Sequence, residues 1–121
     1  MQKILVDTSS IVFSFSNKKD IFDELKEMGF VPVISQGVVS ELEKLANSRR
    51  RPSAGAGAAL LAIRGKGIET DKDRRMPDIW LLSSASKGVY ICTNDRRLKQ
   101  RLEKKLAKVV SVGRDGKLRN L

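Results

Sequence analysis

Histidine is absent from the 121 residues, cysteine and tryptophan occur once each, and there are three prolines. Without imidazole there is no histidine acid/base pair, no Ser-His or Cys-His nucleophile and no ordinary zinc site. The single cysteine, Cys92, excludes a disulfide within the chain, and its place in the apolar run VYIC marks it as a small buried hydrophobe rather than a nucleophile. Aromatic residues make up only 5%, too few for a stacking platform to be the main mode of nucleic-acid binding. No stretch approaches the roughly 18 uninterrupted apolar residues of a membrane span, and the start of the chain has no secretory pattern, so a cytoplasmic protein with no membrane partner is expected. GxGxxG is missing, and the Gly55 and Gly57 stretch has neither the preceding strand nor the Lys-Ser/Thr ending of a P-loop.

What is abundant is positive charge. Lys and Arg number 24 against 14 Asp and Glu, a formal +10. From Asn94 onward there are 10 basic and 3 acidic residues, so +7 of that excess lies in the last 28 positions. Such a balance favours a polyanionic partner such as nucleic acid. Arg49, Arg50 and Arg51 form one basic cluster, and Arg96, Arg97, Lys99 and Arg101 another; both are expected to grip phosphates. The bland alternative is a solvated basic face.

Apolar periodicity alternates between strand and helix. Lys3 to Val6 reads as a strand that ends at Asp7, with Thr8, Ser9 and Ser10 as capping residues in a turn before a helix. Residues 20 to 28 read as a helix closed by Gly29, Val31 to Ile34 as a strand, and Val38 to Ala46 as a helix. An alanine-rich helix over Ala54 to Ile63, whose small residues suggest close packing, leads to a brief strand at Gly67 to Thr70. Pro77 then opens a helix over 77 to 86. Val89 to Cys92 and Val109 to Val112 are strands on either side of a basic helix striped by Leu98, Leu102 and Leu106. Residues 113–121 read as a hairpin or a loose tail, and the whole of 1–121 as one domain. Such alternation implies right-handed crossovers and a parallel sheet with helices on both faces, its ligand site beyond the carboxyl ends of the strands.

Two aspartates, Asp7 and Asp95, stand at such strand ends, although either could merely cap the helix that follows. Asp78 shares a helical face with Leu81, Leu82 and Ala85, which should draw its carboxylate inward; a first-turn interaction with the helix dipole is the alternative. Glu41 and Glu43 flank the apolar stripe of their helix at similar angles, and the pattern leaves them equal. Carboxylates drawn together repel unless a cation joins them. Mg²⁺ or Mn²⁺, as one or two ions, would relieve that repulsion with oxygen ligands alone and could activate water for attack on a phosphodiester.

The segments ILVDTSS, VISQGVVSELEKL, PDIWLLSSA and ICTNDRRLKQRL, in this order, resemble the PIN-domain nucleases over about Lys3 to Val112. That resemblance implies a three-layer α/β/α sandwich around a parallel sheet of four to five strands, and a metal-dependent endoribonuclease. It maps catalytic and metal-binding roles onto Asp7, Glu41, Asp78 and Asp95, thereby preferring Glu41 to Glu43, and supporting roles for carboxylate or water onto the hydroxyls of Ser9 and Thr93. Pro77 and Arg97 depart from the family, standing where relatives often carry alanine or an acidic residue, which implies a weaker hold on a second ion. TNDRRLKQRL is most similar to the branch that cleaves precursor ribosomal RNA, and the short chain also suits VapC-type toxins. A homodimer and an inhibitor or ribosome-assembly protein are further partners that these branches imply. Two other functions compete: a non-catalytic RNA-binding module on the same fold, and an aspartyl-phosphate enzyme, disfavoured because Asp7-Thr8-Ser9 lacks a second nearby aspartate.

Overall fold

The apolar run after Met1 forms β1 (Gln2–Val6), which lies in the middle of the molecule with Ile4 and Val6 fully buried. In this computed structural model, which describes residues 1–120, six strands form one sheet in the order β3-β2-β1-β4-β5-β6. The others are β2 (Phe30–Ser35), β3 (Glu69–Asp71), β4 (Tyr90–Cys92), β5 (Lys108–Val112) and β6 (Leu118–Asn120). Five run parallel, as the alternating pattern implied. The sixth extends the sheet, because Gly113 to Lys117 turn the chain back so that β6 pairs antiparallel with β5. Of the hairpin or loose tail expected over 113–121, the described residues form a turn and a strand that closes a hairpin with β5; Leu121 lies outside the described residues.

Among the described residues six helices flank the sheet: α1 (Thr8–Ser16), α2 (Ile21–Glu27), α3 (Gln36–Ala46), α4 (Ser53–Lys66), α5 (Pro77–Ser84) and α6 (Arg96–Glu103). Helices α1, α3 and α4 pack on one another, while α5 lies against α6. Local chemistry sets several boundaries. Asp20 caps α2 by accepting from the Phe22 and Asp23 amides, and Ser35 caps α3 through the Val38 amide. Gly67, at φ +60°, ends α4 in the left-handed conformation that glycine adopts without strain. The small residues of α4 allow close packing, since a Cβ on Gly55 would run into Ser16 of α1.

Three expectations need correction. No turn separates β1 from α1: the helix begins at Thr8 directly, so Thr8, Ser9 and Ser10 lie inside it rather than capping it. The leucine stripe of α6 stops at Leu102. Leu106 falls beyond the helix at φ +67° and is 66% exposed, because the chain there reverses to bring Ala107 into the core and start β5. Ala85 likewise lies past the end of α5, in extended conformation.

Sheet order positions the site. From β1 the chain steps outward to β2 and β3, then returns across to β4 on the other side of β1. Strand order therefore reverses between β1 and β4, and in such sheets the crevice beyond the carboxyl ends of the two central strands is the ligand position. Val6 pairs with Cys92, so the two strands end level and the residues that follow them, Asp7 and Thr93, emerge together. No helix among the described residues is long and apolar enough to cross a membrane.

Candidate active site

Asp7 leaves β1 with its amide donating to the Cys92 carbonyl at 2.9 Å, which fixes it at the strand end. It occupies the N-cap position of α1, yet its side chain makes no capping bond. Instead Oδ2 accepts from Ser9 Oγ at 2.8 Å and from Thr93 Oγ1 at 2.7 Å. Burial raises the Asp7 carboxyl above its usual range; the two hydroxyls and the Thr8 amide pull it back, and the negative charge of Glu41 pushes it further up. This aspartate is 6% exposed and, among the described residues, has no cationic partner. Thr8 Oγ1 beside it is buried without a hydrogen-bond partner among those residues, an oxygen left for an additional group.

Thr93 also links two aspartates, because its Oγ1 accepts from the Asp95 amide at 3.1 Å while donating to Asp7. The Asp95 side chain does cap its helix, as the bland alternative held: Oδ1 accepts from the Arg97 and Leu98 amides at 3.0 and 3.1 Å. Capping uses one oxygen and leaves Oδ2 without a donor. Asp78, on the first turn of α5, is half-buried, its Oδ1 accepting from the Ile79 amide at 2.9 Å. The structure separates the two glutamates that the pattern left equal: Glu41 is half-buried and Glu43 exposed. Asp7, Glu41, Asp78 and Asp95 all line one cavity of about 840 Å³ between α1, α3, α5 and the start of α6.

Comparison with known proteins fits this geometry. A family model described as a PIN like domain matches residues 4–115. The chain belongs to the PIN-like domain family. It is similar to ribonuclease VapC9 of Archaeoglobus fulgidus, 32% identical over 105 residues that make up 84% of this chain and 76% of the relative. Among solved structures it resembles the PIN domain endonuclease Utp24, with a TM-score of 0.75 and 26% identity, covering 98% of this chain and 92% of the other. A domain of a functionally unknown protein from Methanocaldococcus jannaschii shares the fold, with a TM-score of 0.58 and 20% identity over 93% of this chain and 92% of the other.

Within this PIN-like domain the basic residues divide. Arg51 lines the cavity, placed there by the α3–α4 connection. Arg49 and Arg50 are exposed on that connection, and Arg96, Arg97 and Arg101 are exposed on α6; none of these lines the cavity, and neither does half-buried Lys99. Sequence reasoning missed Asn94. Its Oδ1 accepts from Ser10 Oγ and the Val112 amide, both at 2.9 Å, and its Nδ2 donates to the Val112 carbonyl at 3.0 Å. One side chain thereby ties α1, the end of β4 and the end of β5 together under the cavity. Phe13 on α1, Leu45 on α3 and Met76 just before α5, which give the cavity an apolar wall, were also missed, because an apolar side chain carries no site signal in a sequence.

Whether these residues suit a metal turns on donor chemistry and spacing. The acidic donors are all oxygen, as a hard divalent ion requires. Among the described residues no three acidic or cysteine side chains lie close enough to ligate one ion together. A magnesium-like ion is ordinarily held by one or two carboxylates, with water and substrate phosphate completing its shell, so the set fits that mode rather than an all-protein cage. Buried Cys92, its thiol pushed up to about 12 by desolvation, is no ligand or nucleophile.

Proposed function

We propose that this PIN-like domain is a metal-dependent endoribonuclease that hydrolyses RNA phosphodiester bonds in ribosomal or other RNA processing, in the cytoplasm. One observation carries the reading: a buried carboxylate, Asp7, has no ion-pair partner among the described residues and shares a cavity with three further carboxylates against one arginine, Arg51, an arrangement that costs stability unless a cation is recruited. The ribonuclease and endonuclease named above support the choice of reaction.

In this reading Asp7 and Glu41 would hold Mg²⁺ or Mn²⁺, with Asp78 and Asp95 facing the same space for a second ion or for water. When bound, the ion supplies activation of water and stabilisation of the departing oxygen. Ser9 and Thr93 favour the ionised form of Asp7 against the burial that opposes it and fix its Oδ2, so that its orientation is set before substrate arrives. Asp95, anchored at the start of α6 by Oδ1, presents Oδ2 as the free acceptor. Arg51 receives a backbone phosphate at the cavity, and the exposed arginines of α6 hold the strand further out.

The test is incubation of purified protein with structured RNA and Mn²⁺, comparing wild type with Asp7→Asn. Cleavage by wild type at least a hundredfold faster than by the variant is expected. Equal cleavage by both would mean a contaminating nuclease or a different site, and metal-indifferent binding without cleavage would favour a non-catalytic RNA-binding module. The likeness to a VapC ribonuclease favours a second reading, a VapC-type toxin. That reading predicts growth arrest on expression, relieved by Asp7→Asn.

A further inference from the structure

The cavity is larger and more apolar than an ion and a phosphate require. Its volume of about 840 Å³ lies within the range, roughly 300–1,000 Å³, of pockets that enclose organic ligands. Carboxylates, Arg51 and a few hydroxyls account for only part of the lining; Val12, Phe13, Leu45, Pro52, Met76 and Leu98 are among the apolar residues that supply much of the remainder. Phe13 is half-buried and enters no aromatic pair among the described residues, whereas Phe15 packs on Phe22 and Phe30 on Tyr90. Met76, 63% exposed at the start of α5, offers a flexible thioether to the same cavity. A hydrated phosphate gains nothing from such a wall. An unstacked base does, because an aromatic face and soft apolar neighbours take up its flat surface whatever its identity.

We infer that this wall is a base-binding subsite, in which a nucleobase next to the scissile phosphate leaves its stack and lies against Phe13, flanked by Leu45 and Met76. The inference rests on the nuclease reading for the identity of the strand, and a base held in a duplex cannot enter such a subsite. The low aromatic content is consistent with it: one ring in a pocket suffices, where a multi-base platform would need several.

The experiment titrates the full chain, in metal-free buffer, with a nucleoside 5′-monophosphate and separately with ribose 5-phosphate, following the Met76 methyl and Phe13 ring signals by NMR. The nucleotide should perturb both and the sugar phosphate neither. Met76→Ala and Phe13→Leu should each weaken nucleotide binding about fivefold or more, as loss of part of a stacking contact would. Equal perturbation by both ligands, none by either, or unchanged affinity in both variants would overturn the subsite. Met76 is exposed, so its variant folds whether or not Phe13→Leu does. A companion assay cleaves RNA carrying one abasic residue at successive positions. Cleavage insensitive to the missing base sinks the subsite and leaves the nuclease standing. Base-dependent binding without any cleavage sinks the nuclease and leaves the subsite.

Discussion

Thr93 Oγ1 donates to Asp7 Oδ2 across 2.7 Å, joining residues 86 positions apart at the ends of β4 and β1. This bond is the larger of two hydroxyl contributions that keep a buried carboxyl ionisable. Thr93→Val preserves shape and removes the donor. Asp7 should then hold its proton to higher pH, and the acid limb of a cleavage–pH profile should move towards alkaline values, with cleavage near neutrality falling about tenfold. An unmoved acid limb would mean that Asp7 does not govern the reaction.

The raised Asp7 value also has a sign in stability. The folded chain holds this proton more tightly than the unfolded chain, so stability falls as pH rises through the window between the unfolded value and the raised folded one. Above that window the ionised group is a standing cost. Asp7→Asn removes it while keeping an oxygen for Ser9 and Thr93. The variant should therefore be more stable than wild type at neutral pH in EDTA, by about 1 kcal/mol or a few degrees of melting temperature, with the difference vanishing in acid. Adding Mn²⁺ should stabilise wild type and leave the variant nearly unmoved. Identical thermal melts for the two proteins at every pH would contradict this account.

Two glycines give opposite expectations for the same substitution. A Cβ on Gly37 would overlap the carbonyl of Arg75, in the loop that delivers Met76 and Asp78 to the cavity, and the Gly37 amide donates to the Asp73 carbonyl at 3.0 Å. Gly37→Ala should shift that loop, costing about 1–3 kcal/mol and most of the cleavage rate. Gly57 faces open space in the middle of α4, so Gly57→Ala should stabilise by about 0.5–1 kcal/mol with activity retained. Chemical denaturation with parallel rate measurements checks both.

Arg51 and Arg50 are neighbours with different placements, one at the cavity and one on the exposed loop outside it. For a single-stranded RNA, losing one phosphate contact should lower the slope of log affinity against log salt by about 0.7. Arg51→Ala should show that loss together with slower cleavage, and Arg50→Ala should leave the cleavage rate within about twofold. Fluorescence anisotropy over a salt series, with an uncleavable RNA, separates them.

Strand ends were legible in the sequence because an apolar run terminates visibly: Ile4 to Val6 stops at Asp7, and Tyr90 to Cys92 is followed by Thr93, Asn94 and Asp95. The five parallel strands followed from alternation, whereas the place of the switch point, between β1 and β4, needed the strand order that only the assembled sheet shows. Leu106 was misread because Leu98, Leu102 and Leu106 keep perfect helical spacing, and no glycine or proline marks the reversal that the fold forces there. β6 has only Leu118 as an apolar mark, too little to distinguish a strand from a tail. The choice between Glu41 and Glu43 depends on how α3 is rotated against its neighbours, which periodicity cannot supply. Asn94 was invisible for a related reason: its partners Ser10 and Val112 come from distant segments, and only the assembled sheet brings them within reach.

That assembly has a consequence in time. Asp7 is synthesised 86 residues before its partner Thr93. Until the later segment has emerged and β4 has slotted between β1 and β5, the early aspartate has no hydroxyl from Thr93 and no shared cleft with Asp78 and Asp95. A nascent chain that stops short of β4 therefore holds only part of the cleft, and the site is withheld until that strand and the residues after it have been made.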